Sequence, residues 1–306
     1  MTDHYTTRSY PTRELWLQGR RTRLGASDVA AVVGASQFAS AYSVWLSKVD
    51  PPPSDPMTEY QEWGLRLEPA IAEKFQEETG FAVRDPGEFT IFDSTHWDWL
   101  SATIDRAVIA EVNEEPCELK TVNAFDASVW RKAETVPQAY IVQAHVQMLV
   151  MGTRRAWFAV LAGGNAYAHY PIEMDRELAK LIIRRTQKFW TEHVVPMVAP
   201  DVDFSKATAD ALAAQYSNPK PGVVYLPESF ENHGMRYDRA CRVAAKADKR
   251  KRLLQNQVKE AMGDDGTLAV LPDGIGGFAW KPNCNGVRTF LRKEKVRIDD
   301  DSNGAA

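Results

Sequence analysis

Apolar residues recur at every fourth position in the stretch TEYQEWGLRLEPAIAEKFQEETG, at Trp63, Leu67, Ile71 and Phe75. This spacing places the four side chains on one side of a helix, so the sequence predicts an amphipathic helix that ends at Gly80. Pro69 lies inside the pattern, where it either begins a new helical segment or kinks the long one.

Strand patterns come next along the chain. The runs FTIFD, WLSATIDRAVIA and CELKTV, the last two separated by the turn EVNEEP, predict three strands between residues 89 and 122. VPQAYIVQAHVQMLVMG predicts a helix, WFAVLAGG a buried strand and NAYAHYPIEM an edge strand. DRELAKLIIRRTQKFWTEHVVPMV predicts a helix capped by Asp175. Because helices and strands alternate within one region, the predicted class is α/β or α+β.

The sequence changes character after Pro200. Residues 204–235 are rich in Pro, Gly, Asn and Ser and predict a linker. Residues 236–306 predict a long helix to Met262, a β-hairpin with Pro-Asp-Gly and Gly-Gly in its turn, and a disordered acidic tail, DDDSNGAA. We therefore predict a core over residues 12–203 and a separate C-terminal extension.

The composition, 44% hydrophobic and 25% charged, is that of an ordinary soluble protein, so a sizeable core is expected. No apolar run approaches the roughly 20 residues of a membrane-spanning helix, and the first residues lack the apolar centre of a secretory signal. Three cysteines far apart in sequence fit a reducing cytoplasm and cannot supply the four ligands of an iron–sulfur cluster. The net charge of −4 does not indicate nucleic-acid binding, but a local basic lining matters more than the total.

The stretch PCELKTVN contains two opposite charges in a run that otherwise suits a strand. Glu118 and Lys120 lie two residues apart, which on a strand places both charges on one face. One interpretation is a surface ion pair worth roughly 0–1 kcal/mol. The other involves Asp105: if the two strands pair, Asp105 approaches Glu118 and Lys120. Two carboxylates can hold a hard divalent cation, and a lysine can orient water or stabilise developing charge, which is typical of metal-dependent phosphodiester cleavage.

Several segments, in their order along the chain, resemble the YqaJ-like phage recombinases, relatives of lambda exonuclease within the PD-(D/E)xK nucleases. These segments are WLQGR…RLGASDVAAVVGAS, WGLRLEPAIAEKF, LSATIDRAVI, CELK, VPQAYIVQAHVQMLVMG, and AVLAGGNAYAHYPIEMDRE with FWTEHV. The likeness covers roughly residues 12 to 203. It implies a restriction-endonuclease-like core, with a mixed central sheet flanked by helices, followed here by the helix–hairpin extension.

The resemblance also implies a catalytic centre. Its metal ligands would be Glu68, Asp105, Glu118 and the carbonyl of Leu119, and Lys120 would be the catalytic lysine. The implied cofactor is Mg²⁺, as one or two ions, with Mn²⁺ as a substitute. For Glu68 the alternative is an ordinary solvated position on a helix.

A second implied set of residues binds DNA. Arg20 and Ser27 would hold a terminal 5′-phosphate, with Arg21 and Arg23 nearby as lesser candidates, and Gln143 would lie beside the metal. The alternatives are a plain basic surface patch around Arg20 and a Gln143 that simply faces solvent or bonds to a neighbour. His145 stands where many members carry a second glutamine, and Ile104 stands where the family usually has proline.

The implied function is a Mg²⁺-dependent deoxyribonuclease of phage-type recombination. The favoured activity is 5′–3′ exonuclease action on double-stranded DNA ends, leaving 3′ single strands for a single-strand annealing protein. An endonuclease of the same fold and an inactive DNA-binding or assembly module are the alternatives. The resemblance further implies a homo-oligomer, a ring-like trimer that encloses DNA, in the cytoplasm of a bacterial host or phage-infected cell and without a membrane partner.

Overall fold

The computed structural model describes residues 4–51, 56–111, 113–123, 136–264, 266–272, 274, 276–283 and 285–296 of the 306-residue chain. The chain divides into two compact units, Met1–Pro219 and Lys220–Ala306. In the described residues, no helix has both the length and the apolar character needed to cross a membrane.

The first unit contains seven of the described helices and eight of the described strands. The helices are α1 Arg13–Arg20, α2 Ala26–Val32, α3 Ala41–Val49, α4 Glu59–Thr79, α5 Gln138–Met151, α6 Arg176–Phe189 and α7 Lys206–Gln215, and a π-helical turn at Trp190–Val194 continues α6. The strands are β1 Tyr5–Ser9, β2 Val83–Arg84, β3 Thr90–Ser94, β4 Ser101–Ala102, β5 Arg106–Ile109, β6 Glu114–Val122, β7 Arg155–Ala162 and β8 Ala166–Glu173.

A five-stranded mixed sheet forms the centre of the first unit. Its strand order is β2-β5-β6-β7-β8, with β6 and β7 parallel and the other pairs antiparallel. A parallel pair needs a crossover connection, and the chain between β6 and β7 contains helix α5. Helix α4 buries Ile71 and Phe75 against one set of strand residues, whereas α5 buries Met148 with Phe158 of β7 in a second cluster. The predicted mixed sheet flanked by helices is confirmed.

The stretch predicted as one strand, WLSATIDRAVIA, is two strands in two sheets. Strand β4 belongs to a three-stranded sheet of order β1-β3-β4, and β5 belongs to the five-stranded sheet. Residues 103–105 connect them, so Asp105 lies where the chain leaves one sheet for the other. The alternating pattern is local and predicts extended backbone, but it does not specify the partner strand.

Helix α4 confirms the predicted amphipathic helix, with one exception on its apolar face. Ile71 and Phe75 are buried, but Trp63 is 54% exposed, and the Arg66 guanidinium lies 5.5 Å from the centre of its ring. Pro69 lies within the helix rather than at the start of a new one. The prediction of a buried position is therefore wrong for Trp63, because the first turns of α4 line a cavity instead of covering the sheet.

The segment predicted as a linker begins with a helix that packs on the first unit. In α7, Thr208 Oγ1 donates a hydrogen bond of 2.8 Å to Ser40 Oγ, and Gln215 Oε1 accepts one of 2.7 Å from Tyr42. Ala211 is buried in the main core. The structural division therefore falls after Pro219 rather than after residue 203, because the alanine-rich helix contributes to the core despite its Pro- and Gly-rich flanks.

The second unit confirms the predicted long helix and hairpin and adds a strand. Helix α8 spans His233–Met262, and strands β9 Leu268–Val270, β10 Gly277–Pro282 and β11 Arg288–Lys293 form an antiparallel sheet of order β11-β10-β9. Sequence analysis did not predict β11. The predicted disordered tail lies outside the described residues.

Candidate active site

Asp105 and Glu118 are brought together by the antiparallel pairing of β5 with β6. Arg106 lies opposite Cys117 in this pairing, so Asp105, immediately before β5, lies beside Glu118. The Leu119 backbone N–H donates a hydrogen bond of 2.7 Å to Asp105 Oδ2. The predicted approach of these two strands is therefore confirmed, and it joins two carboxylates at one position on the sheet.

Glu118 is a buried carboxylate held by several donors. Only 6% of the residue is exposed. Its Oε1 accepts hydrogen bonds of 2.5 Å from Lys120 Nζ and 2.6 Å from Gln143 Nε2, and its Oε2 accepts one of 2.7 Å from Gln147 Nε2. An exposed surface ion pair would not have this environment, so that alternative for Glu118 and Lys120 is wrong. Gln143 likewise faces Glu118 rather than solvent.

Sequence analysis missed Gln147, which is 1% exposed and lies one helical turn after Gln143 on α5. Its side chain also donates a hydrogen bond of 3.0 Å to the Thr103 carbonyl, so it connects Glu118 to the segment that carries Asp105. The spacing of four residues between the two glutamines was the available signal, because such residues share one face of a helix.

His145 belongs to the supporting structure and not to the site. Its Nδ1 lies 2.8 Å from the Ile141 carbonyl oxygen, and its Nε2 accepts a hydrogen bond of 2.9 Å from the Asp175 backbone N–H. Acceptance at Nε2 requires the proton to be on Nδ1 in the neutral ring. Burial lowers the pKa of His145, which agrees with a neutral ring.

Glu68 reaches the site from α4, where Arg106 holds it. Arg106 Nη1 lies 3.7 Å from Glu68 Oε2 and 3.6 Å from Asp85 Oδ2, and it also donates to the Asp105 carbonyl at 2.5 Å. Arg106 is only 9% exposed. Sequence analysis missed Arg106, because its neighbours come from three separate segments of the chain.

The electrostatics of the site favour an additional cation. Burial, with the nearby Glu118 carboxylate, raises the pKa of Asp105 to about 8. Burial also raises the pKa of Glu68, and Glu118 adds to this effect while Arg106 opposes it. Burial acts against the charge of Lys120, but the Glu118 and Asp105 carboxylates outweigh it and raise the lysine pKa. Burial is therefore the main cause of both raised carboxyl pKa values, and the nearby cations Lys120 and Arg106 offset it only in part.

The donor set fits a hard divalent cation. Asp105, Glu118 and Glu68 offer carboxylate oxygens, the ligands that Mg²⁺ and Mn²⁺ prefer. In the described part of the chain, however, no three His, Cys, Asp or Glu side chains are already close enough to one another to hold a metal ion. A cationic side chain already lies against two of these carboxylates, Lys120 against Glu118 and Arg106 against Glu68.

A cavity of about 880 Å³ joins the Glu68 and Asp105 carboxylates to Arg20, one of the predicted DNA-binding residues. Arg20 lines it together with Glu68, Asp105, Leu119 and Lys120. Further cationic side chains in the lining belong to Arg13, Arg66 and Arg106. Asp85 and Glu88 also line the cavity, so its five cationic side chains lie together with four acidic ones. A phosphate can contact the cations there while the carboxylates remain available to a metal ion.

Arg20 and Ser27 are in direct contact. Arg20 Nη2 donates a hydrogen bond of 3.0 Å to Ser27 Oγ and lies 3.8 Å from Asp28 Oδ1. The guanidinium lies 4.9 Å from the centre of the Trp16 ring. Lys48 Nζ contacts Asp28 Oδ2 at 2.7 Å. Arg20 is therefore held at the cavity by contacts on several sides, which an ordinary surface patch does not provide.

The pKa of Asp105 predicts a pH-dependent stability in the absence of metal. Because this pKa is raised from 3.8 to about 8, the folded state holds the proton more tightly, and the free energy of unfolding falls as pH rises through this window. Asp105→Asn removes the titrating group. We expect the difference in Tm between this variant and the wild type, measured in EDTA, to grow from about pH 5 to about pH 8.

The control for this measurement is Asp98→Asn, which alters an exposed carboxylate. Its Tm should follow that of the wild type at every pH. If the difference in Tm between Asp105→Asn and the wild type did not change with pH, the prediction would be contradicted.

Comparison with known proteins finds a similar family and a similar fold. The family model of the YqaJ-like viral recombinase domain matches residues 15–154. The chain is 29% identical over 257 residues to the uncharacterized protein YqaJ of Bacillus subtilis, covering 83% of this chain and 79% of that protein. The predicted resemblance is confirmed.

Solved structures share the fold of the first unit. The alkaline exonuclease LHK-Exo from Laribacter hongkongensis matches with a TM-score of 0.51 and 22% identity, over 60% of this chain and 94% of that chain. A structure of LHK-Exo in complex with dAMP matches with a TM-score of 0.51 and 21% identity, over 67% of this chain and 98% of that chain. The core therefore shares the fold of this alkaline exonuclease.

Proposed function

Because residues 15–154 form a YqaJ-like viral recombinase domain, we propose that this protein is a Mg²⁺-dependent deoxyribonuclease that degrades double-stranded DNA from its 5′ ends. The observation that carries the proposal is one cavity lined by Arg20, Glu68, Asp105 and Lys120, with Glu118 hydrogen-bonded to Lys120. The family and the alkaline exonuclease fold support a nuclease role.

The carboxylates of Glu68, Asp105 and Glu118, with the Leu119 carbonyl, hold the metal in this proposal. The chemistry that a divalent cation supplies there is activation of water and neutralisation of charge on the phosphate. Gln143 and Gln147 fix the Glu118 carboxylate from the α5 side, so its oxygens keep one orientation. Such fixed orientation of a ligand increases metal affinity.

Lys120 has the catalytic role that the metal ligands cannot fill. Its ammonium is held by Glu118 Oε1 and lies 5.5 Å from the centre of the Tyr140 ring. The raised pKa keeps Lys120 charged at neutral pH. A fixed positive charge in this position orients the attacking water or stabilises the negative charge that develops on the phosphate.

In this proposal, Arg20 and Ser27 recognise the 5′ end of a DNA strand. A guanidinium and a hydroxyl 3.0 Å apart can both donate to a terminal phosphate, which carries more negative charge than a phosphodiester. This contact favours an exonuclease that requires a 5′ terminus. LHK-Exo has been solved with dAMP, a deoxynucleoside monophosphate, which is the class of product that exonuclease action releases.

The proposed activity has a direct assay. Purified protein with Mg²⁺ should degrade a linear duplex bearing 5′-phosphates to mononucleotides and a 3′ single strand, leave a closed circular duplex intact, and lose activity in EDTA. Nicking of the circle would indicate the endonuclease alternative. DNA binding with no cleavage in Mg²⁺ or Mn²⁺ would indicate the inactive DNA-binding module.

Arg20→Ala is expected to weaken selection of phosphorylated ends. The ratio of kcat/KM on a 5′-phosphate duplex to kcat/KM on a 5′-hydroxyl duplex should fall at least about 10-fold in the variant. The reason is that a charge-assisted contact with the phosphate is lost. The matched control is Arg21→Ala, an exposed neighbour that does not line the cavity. An unchanged preference in Arg20→Ala would contradict the proposed phosphate site.

A further inference from the structure

Helix α8 of the second unit is uncovered along most of its length. Every residue from His233 to Leu254 is exposed, including Tyr237 at 71% and Leu254 at 47%. A helix in a folded protein gains most of its stability from packing of its apolar face against other elements. Among the described residues of the second unit, no element covers this face between residues 233 and 254.

The small and apolar residues of α8 follow the spacing of a coiled coil. Steps of three and four residues alternate without interruption, and Lys251 is the only charged residue among them. The positions, together called the seam, are Tyr237, Ala240, Ala244, Ala247, Lys251, Leu254, Val258 and Ala261. An average step of 3.5 residues keeps two helices in contact along a left-handed supercoil. The seam therefore indicates another helix as the covering element.

In the first half of the seam Ala240, Ala244 and Ala247 are small, whereas in the second half Lys251, Leu254 and Val258 are larger. In a parallel pair in register, each residue faces itself, so the alanines would leave voids and Lys251 would face a like charge. In an antiparallel pair centred between residues 247 and 251, every layer joins a small residue to a larger one. The layers are Tyr237 with Ala261, Ala240 with Val258, Ala244 with Leu254, and Ala247 with Lys251.

An apolar groove at the C-terminal end of α8 gives independent support. Its volume is about 370 Å³, and its lining includes Val258 and Ala261 of the seam together with Leu268 and Phe278 of the sheet. At the other end of the helix, Met235 and Tyr237 are 66% and 71% exposed. Because antiparallel pairing sets Tyr237 of one copy level with Ala261 of the other, it brings these apolar side chains to the groove.

We propose that α8 pairs with α8 of a second copy of this chain in an antiparallel coiled coil. The arrangement is two-fold symmetric, so each copy both fills a groove and offers one. Lys251 of one copy lies level with Ala247 of the other, and the residue after Ala247 is Asp248, so opposite charges lie near the centre of the pair. The interface lies within the second unit and does not depend on the proposed nuclease activity.

The oligomeric state of the full-length chain tests this interface. Sedimentation equilibrium should show an assembly of at least twice the 34.3 kDa chain mass. Leu254→Glu places a charge in the seam and should raise the dissociation constant at least about 10-fold, which corresponds to about 1.4 kcal/mol. Leu253→Glu, 48% exposed and outside the seam, is the matched control and should change the constant less than about twofold.

A monomeric wild type would overturn the proposal. So would an assembly that keeps its mass in Leu254→Glu, because such an assembly would be held by other residues. Circular dichroism of both variants establishes that the helix content is retained, so a loss of mass is not a loss of folding.

Ala247→Glu distinguishes the two orientations. In the antiparallel pair it faces Lys251 of the other copy, twice per dimer, so association should tighten. In a parallel pair it faces itself, and association should weaken. Weaker association of Ala247→Glu would overturn the antiparallel arrangement.

Discussion

An Asp105→Asn protein is expected to cleave DNA at least about 100-fold more slowly than the wild type while it keeps its fold. The amide oxygen of asparagine can still accept the Leu119 N–H, so the 2.7 Å contact between the two segments survives. What disappears is the anionic oxygen that a divalent cation requires. Burial of an uncharged group at this position is also less costly than burial of a carboxylate.

The measurement is single-turnover cleavage of a linear duplex with saturating Mg²⁺, together with the Tm of the variant. Asp98→Asn is again the control, because it removes an exposed carboxylate outside the cavity and should cut DNA at the wild-type rate. Full activity in Asp105→Asn would contradict the assignment of the active site.

Lys120→Ala and Glu118→Gln are expected to separate catalysis from metal binding. Lys120→Ala should slow cleavage by at least about 100-fold and leave affinity for Mg²⁺ or Mn²⁺ similar or higher, because a competing cation has gone. Glu118→Gln should weaken metal binding itself, since a neutral amide replaces an anionic ligand.

Glu118→Gln carries an additional structural effect. The Glu118 oxygens accept from Lys120, Gln143 and Gln147, whereas a glutamine at this position offers one acceptor oxygen and a further donor. At least one buried donor is then left without a partner, so a lower Tm should accompany the weaker metal binding. Lys120→Ala should not show this combination.

Calorimetric titration of each metal, run beside single-turnover cleavage, separates the two roles. Lys74→Ala is the control, since it removes an exposed lysine that pairs with Glu77 and Glu78 on α4. It should leave both quantities unchanged. Normal cleavage by both Lys120→Ala and Glu118→Gln would exclude the proposed catalytic role of this strand.

The sequence by itself determined the features that depend on neighbours in the chain. Residues two apart on a strand share a face, so Glu118 and Lys120 could be placed together from eight residues of sequence. The apolar spacing on α4 and the Asp175 cap of α6 were local signals in the same sense. The order of the motifs then indicated the resemblance to the YqaJ-like recombinases, because each motif is a short local pattern.

The tertiary structure decided which distant segments meet. Asp105 reaches Glu118 because the chain leaves one sheet for another at residues 103–105, and no local periodicity encodes that change of partner. Gln147 connects Glu118 to the Thr103 carbonyl, and Arg106 joins Glu68 to the same region. These contacts span tens of residues in sequence, and they arise from packing of helices on the sheet. Hydrophobic patterning specifies that an element is buried but not which polar groups it brings together.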